Sequence, residues 1–353
     1  MNPQAVARVL DANLDRAREG LRVLEEWFRL GLESVNWAAE CKDMRQELGG
    51  WHHPSLRSAR DITTDPGTQL EHPQEQQRRD LEHLLQANCS RVQESLRVLE
   101  EYGKLGESRQ WLPPTMPQVC KQMRYRLYEM ESILLATTLR RRLERAQLYL
   151  ITSPIEGWLA AVEQALQGGV TLVQYRHKTA TPREKLRDLE QLKLLCQRYH
   201  ALLIVNDHVD LALLVDADGV HLGQTDMPVA AARQLLGSQK LIGQSTTNSQ
   251  ELQAALATSA DYVGVGPVYA TPTKAGKAPA GLDYVRLAAA TVRLPWFAIG
   301  GIDADNLPAV CAAGASRVSV VRSLMEAVDP AQTARLMLTQ IQSQTTTIPV
   351  SGC

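Results

Sequence analysis

TLVQYRHK, Thr171 to Lys178, passes from an apolar run of strand length into a row of charged and hydrogen-bonding side chains. The same passage recurs downstream in LLIVND (Leu202 to Asp207), GVHLGQTD (Gly219 to Asp226), KLIGQS (Lys240 to Ser245), DYVGVGPVYATPTK (Asp261 to Lys274) and WFAIGG (Trp296 to Gly301). LYLIT (Leu148 to Thr152) and RVSVV (Arg317 to Val321) bring the strand candidates to eight. Helical stretches such as Glu184 to Tyr199, Glu251 to Ala257 and Asn306 to Ala313 fall between them. Strands rich in Val, Ile and Leu that alternate with helices and lack hairpin turns predict a parallel sheet. A doubly wound open sheet is the alternative, but the count of eight and the even spread of polar ends favour a closed (β/α)8 TIM barrel. In a barrel those polar ends gather at one rim, which is the footprint of an active site.

Outward from the barrel, residues 1 to about 145 read as almost purely helical and contain a duplication. ANLDRAREGLRVLEEWFRLG from Ala12 returns as ANCSRVQESLRVLEEYGKLG from Ala87, with twelve of twenty positions identical at an offset of 75. CKDMRQEL from Cys41 returns as CKQMRYRL from Cys120 at an offset of 79. The repeated unit is a helix pair, so two copies predict a bundle of about four helices. Leu10, Leu14, Ala17, Leu21, Leu24 and Phe28 form an apolar stripe at three- and four-residue steps. Arg16, Glu19, Arg22 and Glu26 lie mostly opposite it and return as Arg91, Glu94, Arg97 and Glu101. They read either as a solvated ion-paired face or as a polar site between copies for a phosphorylated ligand, which the loop RDITTD (Arg60 to Asp65) would serve. The organisation is therefore α/β, an all-α helical-repeat domain (1–145) ahead of a barrel (146–343), with a polar tail (344–353).

The 353 residues are too many for one ordinary core, and the net charge of -1 supplies no basic field for nucleic acid or an anionic membrane. No apolar run reaches membrane-span length and no signal peptide is visible. The six cysteines include no C-x-x-C pair, and the eight histidines lack metal-ligand spacing. These features predict a cytoplasmic protein with reduced thiols and no zinc site.

Gln174, Arg176 and Lys178 sit two apart, so a strand continuing to Lys178 would point all three to one side. Arg offers a fork for phosphate, Lys a point charge, and Gln a donor and an acceptor for a heterocycle edge. Asp207 and Asp226 end neighbouring strands, and two nearby carboxylates call for a cation between them; Mg²⁺ bridging to substrate phosphate meets that need. For Asp226 a helix N-cap is the plainer reading. Gly264, Gly266, Thr271, Thr273 and Lys274 form a phosphate-suited loop without a Walker A pattern. Gly300, Gly301 and Val320 to Ser323 fall where barrels bind phosphate through backbone N–H groups. His221 reads as a barrel-lining histidine with a supporting role near the site as the alternative, and His177 should face away from Arg176. No catalytic acid or base stands out. The inventory suits stabilisation of a leaving diphosphate by cations and a metal.

Taken together, Q-x-R-x-K, ND, ADGVHLGQ-x-D, G-x-S, ADYVG-x-GP-x-x-x-T-x-TK and IGGI resemble thiamine phosphate synthase in order and spacing, from Gln147 to about Ala334. The resemblance implies a barrel that joins a pyrimidine diphosphate to a thiazole phosphate with Mg²⁺. By motif, Gln174, Arg176, Lys178, Asn206, Ser245 and Lys274 would bind the pyrimidine diphosphate, and Asp207 and Asp226 would hold Mg²⁺. Thr271, Thr273, Gly301, Val321 and Arg322 would hold the thiazole phosphate. Arg322 departs from the Ser often found there, and a histidine common just beyond Ser245 is missing. Alternatives are the related barrel that isomerises the thiazole phosphate, and a non-catalytic sensor. The first half is similar to a helical module fused to some bacterial members and linked to phosphorylation of the pyrimidine monophosphate. Its competing reading is a scaffold or dimerisation bundle, which would make the chain a homo-oligomer.

Overall fold

The computed structural model describes residues 2–60, 77–78, 81–271 and 279–345. Thr273, Lys274, residues 61–65 of the RDITTD loop and the tail beyond 345 lie outside them. The chain divides into two compact units, Met1–Leu135 and Ala136–Cys353.

The first unit is built on α1 (Pro3–Glu26), α2 (Val35–Gly50), the short α3 (Pro54–Ser58), α4 (Leu81–Tyr102) and the start of α5 (Met116–Arg145). Asn2 caps α1 by accepting from the Gln4 N–H, with Pro3 in the first turn, where its missing donor costs nothing. The whole stripe from Leu10 to Phe28 is fully buried, against Leu96, Leu99 and Cys120 among others. The duplication is visible in the bonding. Asn13 donates to Val9 O and Asn88 to Leu84 O, both at 2.8 Å. Buried Glu25 pairs with Arg22 and Arg45, just as buried Glu100 pairs with Arg97 and Arg124. Arg16, Glu19, Arg91 and Glu94 are exposed, which supports the solvated face over a site between copies.

In the second unit, β1 (Leu148–Ile151), β2 (Leu172–Tyr175), β3 (Leu202–Asn206), β4 (Gly219–Leu222), β5 (Leu241–Thr246), β6 (Tyr262–Val265), β7 (Trp296–Ile299) and β8 (Val318–Val320) close in sequence order into a barrel. Every neighbouring pair is parallel, including β1 with β8. The helices between them are α6 (Trp158–Gln167), α7 (Pro182–Arg198), α8 (Val209–Leu214), α9 (Val229–Leu236), α10 (Ser249–Leu256), α11 (Gly281–Thr291) and α12 (Leu307–Ala312). After β8 come α13 (Arg322–Met325) and α14 (Pro330–Thr345). Thr181 and Glu184 form a reciprocal capping box at the start of α7.

Strand alternation splits the core in two. Leu150, Val173, Leu203, Val220, Ile242, Val263 and Ala298 pack outward under the helices. Tyr149, Leu172, Leu202, Ile204, Leu241, Tyr262 and Phe297 pack inward, joined by Leu143 and Ala146 from the segment leading into β1. A Cβ on Gly243 would come within 2.1 Å of the Tyr262 ring, so only glycine there admits that aromatic. Cys41, Cys89, Cys120, Cys196 and Cys311 are free and buried, and burial pushes the first four thiols up to about 12.

Candidate functional site

The C-terminal ends of β2, β3, β4 and β5 bring the expected residues together. Strand β2 stops at Tyr175, so the alternation does not carry to Lys178. The Arg176 backbone is pinned instead by Thr152, whose Oγ1 accepts the Arg176 N–H at 2.8 Å. Lys178 turns toward β3, where it lines a cavity of about 120 Å³ with His177, Asn206 and Asp207. His177 lies on the helix side, 3.8 Å from Asp188.

Asp207 sits just beyond β3 with φ of 63°, a left-handed conformation uncommon outside glycine. Its N–H bonds the His221 carbonyl at 2.9 Å, which holds the strained residue in place. Burial pushes the Asp207 carboxyl above the usual range, and its hydrogen bond and charge contact with Asp226 push it further; Lys178 and Asn206 pull the other way. Asp226 is not a helix cap, because α9 begins after Pro228. Its Oδ2 accepts the Gly223 N–H at 2.6 Å and closes the turn that presents the carboxylate to Asp207. Two carboxylates in hydrogen-bond contact hold either a shared proton or a cation. Among the described residues no group of three or more His, Cys, Asp or Glu forms a metal cage. A pair of oxygen ligands fits Mg²⁺, which takes one or two carboxylates and completes its shell with water and phosphate. Burial holds the Arg176 guanidinium below its usual range, countered by Asp207.

Gln174 and Ser245, read from the sequence as separate contacts, are joined by a chain of side chains through the barrel. Gln174 Nε2 donates to Tyr149 Oη at 2.7 Å, and the Tyr149 and Tyr262 hydroxyls are 2.9 Å apart. Tyr262 Oη lies 3.2 Å from His221 Nδ1, and His221 Nε2 lies 2.9 Å from Ser245 Oγ. Burial pushes both phenols up, so they remain neutral and can each donate once and accept once. The supporting reading of His221 therefore fits. Sequence reasoning missed the tyrosines, because tyrosine in a strand signals only β-propensity; their inward register was the available clue.

A second, larger cavity of about 410 Å³ opens at the ends of β7 and β8, lined by Thr271, Gly301, Ser319, Val321, Arg322 and Ser323 among others. Gly301 has φ of 67°, and a Cβ there would meet Tyr269 at 2.8 Å, so the turn requires glycine. Ser323 Oγ donates to the Ile302 carbonyl, tying the two loops together. The site thus gathers cations and the paired carboxylates at the ends of β2 to β4 and a backbone-lined turn at the cavity beside β7 and β8.

Comparison with known proteins gives the same division. The Thiamine monophosphate synthase family matches residues 148–324, and the ThiD2 family matches residues 8–133. A thiamine-phosphate synthase from Synechocystis sp. is 57% identical over 340 residues, covering 96% of this chain and 97% of the relative. One from Nostoc punctiforme is 58% identical over 338 residues, covering 96% and 95%. The solved thiamine phosphate pyrophosphorylase of Pyrococcus furiosus is 35% identical with a TM-score of 0.53, covering 58% of this chain and 98% of that one.

Proposed function

The chain belongs to the thiamine-phosphate synthase family, and from that membership we propose how its residues divide the work. Its barrel condenses 4-amino-2-methyl-5-hydroxymethylpyrimidine diphosphate with 4-methyl-5-(2-phosphooxyethyl)thiazole, giving thiamine phosphate and diphosphate. The facing pair Asp207 and Asp226 beside Lys178 is the observation that carries the assignment of the diphosphate to the β2–β4 rim.

In this reading Gln174 and Ser245 hold the pyrimidine ring between the ends of the buried relay, and Asn206 steadies Asp207. Arg176 and Lys178 take up negative charge as the bond from the exocyclic carbon to the diphosphate oxygen breaks, and the thiazole nitrogen then supplies the electron pair for the new bond to that carbon. Asp207 and Asp226 would hold Mg²⁺, which when bound would supply further neutralisation of the leaving group. Thr271, Gly301, Val321 and Arg322 hold the thiazole phosphate in the larger cavity. Thr273 and Lys274 join the two substrates' phosphate contacts by motif. The preorganised charges account for catalysis without a dedicated acid or base. Among the described residues no helix is long and apolar enough to cross a membrane.

The helical half, as a member of the ThiD2 family, transfers the γ-phosphoryl of ATP to the phosphate of the pyrimidine monophosphate. The bond to the β-phosphate breaks, a new P–O bond forms on the monophosphate, and ADP leaves, so one chain makes and consumes the diphosphate. The test supplies full-length protein with Mg²⁺, thiazole phosphate and pyrimidine monophosphate, with and without ATP, beside a reaction started from the diphosphate. Thiamine phosphate from the monophosphate only with ATP supports both activities. Product from the diphosphate alone leaves the helices a scaffold, including one for a homo-oligomer.

A further inference from the structure

Among the positions at which the two copies of the helix pair differ, one cluster bears on chemistry. Positions 11, 15 and 18 of the first copy are Asp, Asp and Arg, whereas the second has Gln86, Ser90 and Gln93 at the offset of 75. His52 is matched at the offset of 79 by Glu131. In the second copy these positions are simply satisfied, with Gln93 Nε2 donating to Glu131 Oε2 at 2.8 Å. In the first copy they are not. The His52 side chain is 2% exposed and neither ring nitrogen has a hydrogen-bond partner, although Asp15 Oδ1 is 3.3 Å away and Asp11 Oδ1 3.8 Å. Asp11 Oδ1, on a side chain 3% exposed, and Arg18 Nε are also without one. Arg60 clamps the outer oxygens, its Nε 2.6 Å from Asp11 Oδ2 and a terminal nitrogen 2.5 Å from Asp15 Oδ2.

A buried polar atom without a partner keeps its desolvation cost and gains nothing from the fold. At the matching positions the second copy carries no such atom, while the Glu25/Arg45 and Glu100/Arg124 pairs show what both copies retain for structure. We infer that Asp11, Asp15, Arg18, His52 and Arg60 form the ligand site of the helical half, built for a phosphorylated amino-heterocycle. The chemistry of the unsatisfied atoms sets that class. The Asp11 oxygen and the imidazole ask for N–H donors, as an amino-substituted ring provides, while Arg18 and Arg60 offer cations to phosphate. Asp15 and Arg18 are each 32% exposed and Arg60 45%, so they make an accessible rim over the buried side chains of Asp11 and His52. Burial holds the His52 imidazole below its usual range, which keeps it an acceptor near neutral pH. The aminopyrimidine monophosphate and ATP share this chemistry.

The inference rests on the kinase reading of this half, and its test separates the two. Full-length Asp15→Asn, His52→Gln and Gln86→Ala are compared with the unaltered chain for thiamine phosphate made from the monophosphate with ATP, and for thiamine phosphate made from the diphosphate. Expected is a fall of about 100-fold or more for Asp15→Asn and His52→Gln in the ATP-dependent reaction only, no change for Gln86→Ala, and matching melting curves. A rise in KM confined to ATP or to the monophosphate tells which ligand the site holds. ATP-dependent turnover indifferent to Asp15→Asn and His52→Gln overturns the site and leaves the kinase reading intact. An unaltered chain without ATP-dependent turnover sinks both.

Discussion

Along the barrel axis the interior changes character within a few residues. Its lower layer is Leu172, Leu202, Leu241 and Phe297, closed below by Leu143; its upper layer is Gln174, Asn206, His221 and Ser245. Two to four residues along a strand separate them, with Tyr149 and Tyr262 between, apolar below and hydroxyl-bearing above. The lower layer gains by leaving water and needs only shape. The upper layer carries desolvated polar groups and a left-handed Asp207, features that cost stability and are worth keeping only for chemistry. Stability and catalysis are thus assigned to different levels of the same strands.

Substitutions that cross this division should show it. Leu202→Ala, in the lower layer, should lower unfolding stability by about 2–5 kcal/mol while the folded fraction keeps kcat within about twofold, measured by denaturant titration and by active-site-normalised rates. Asp207→Ala or Lys178→Ala should do the reverse, cutting turnover from the pyrimidine diphosphate by on the order of 10²-fold or more with little change in melting. Near-normal activity in either would break the division. Tyr262→Phe, at the boundary, removes the hydroxyl that links Tyr149 to His221 and should reduce kcat/KM for the pyrimidine substrate about tenfold. If the thiazole substrate's KM moves instead, the relay does not serve the pyrimidine side. Arg322→Ser should have the smallest effect, about three- to fivefold in KM for the thiazole phosphate, because an exposed cation contributes little beside backbone donors.

The barrel was legible because each strand carries its own label, an apolar run followed by a polar end, and β1 to β8 fall within a residue or two of the runs that announce them. Thr271, Gly301, Val321 and Arg322 line one cavity, and Lys178, Asn206 and Asp207 another. Lys178 lies beside Asp207, but β2 ends at Tyr175 and a loop, not alternation, carries it there. The relay was hidden because it joins residues 24 to 113 positions apart that share only an inward register. Likewise Asp11 and His52 are ordinary helix and loop residues in the sequence, and only burial without partners for their polar atoms distinguishes them. Thr273 and Lys274 rest on motif alone, outside the described residues.

The most direct test of the account is the Mg²⁺ dependence of condensation from the pyrimidine diphosphate, measured for the full-length chain and for Asp226→Asn. Asp226 supplies one of the two carboxylates proposed to hold the metal, so its substitution should raise the half-saturating Mg²⁺ concentration about tenfold or more while excess Mg²⁺ restores much of the rate. Identical Mg²⁺ curves for the two proteins would contradict a cation held between Asp207 and Asp226, and with it the placement of the leaving diphosphate at that rim.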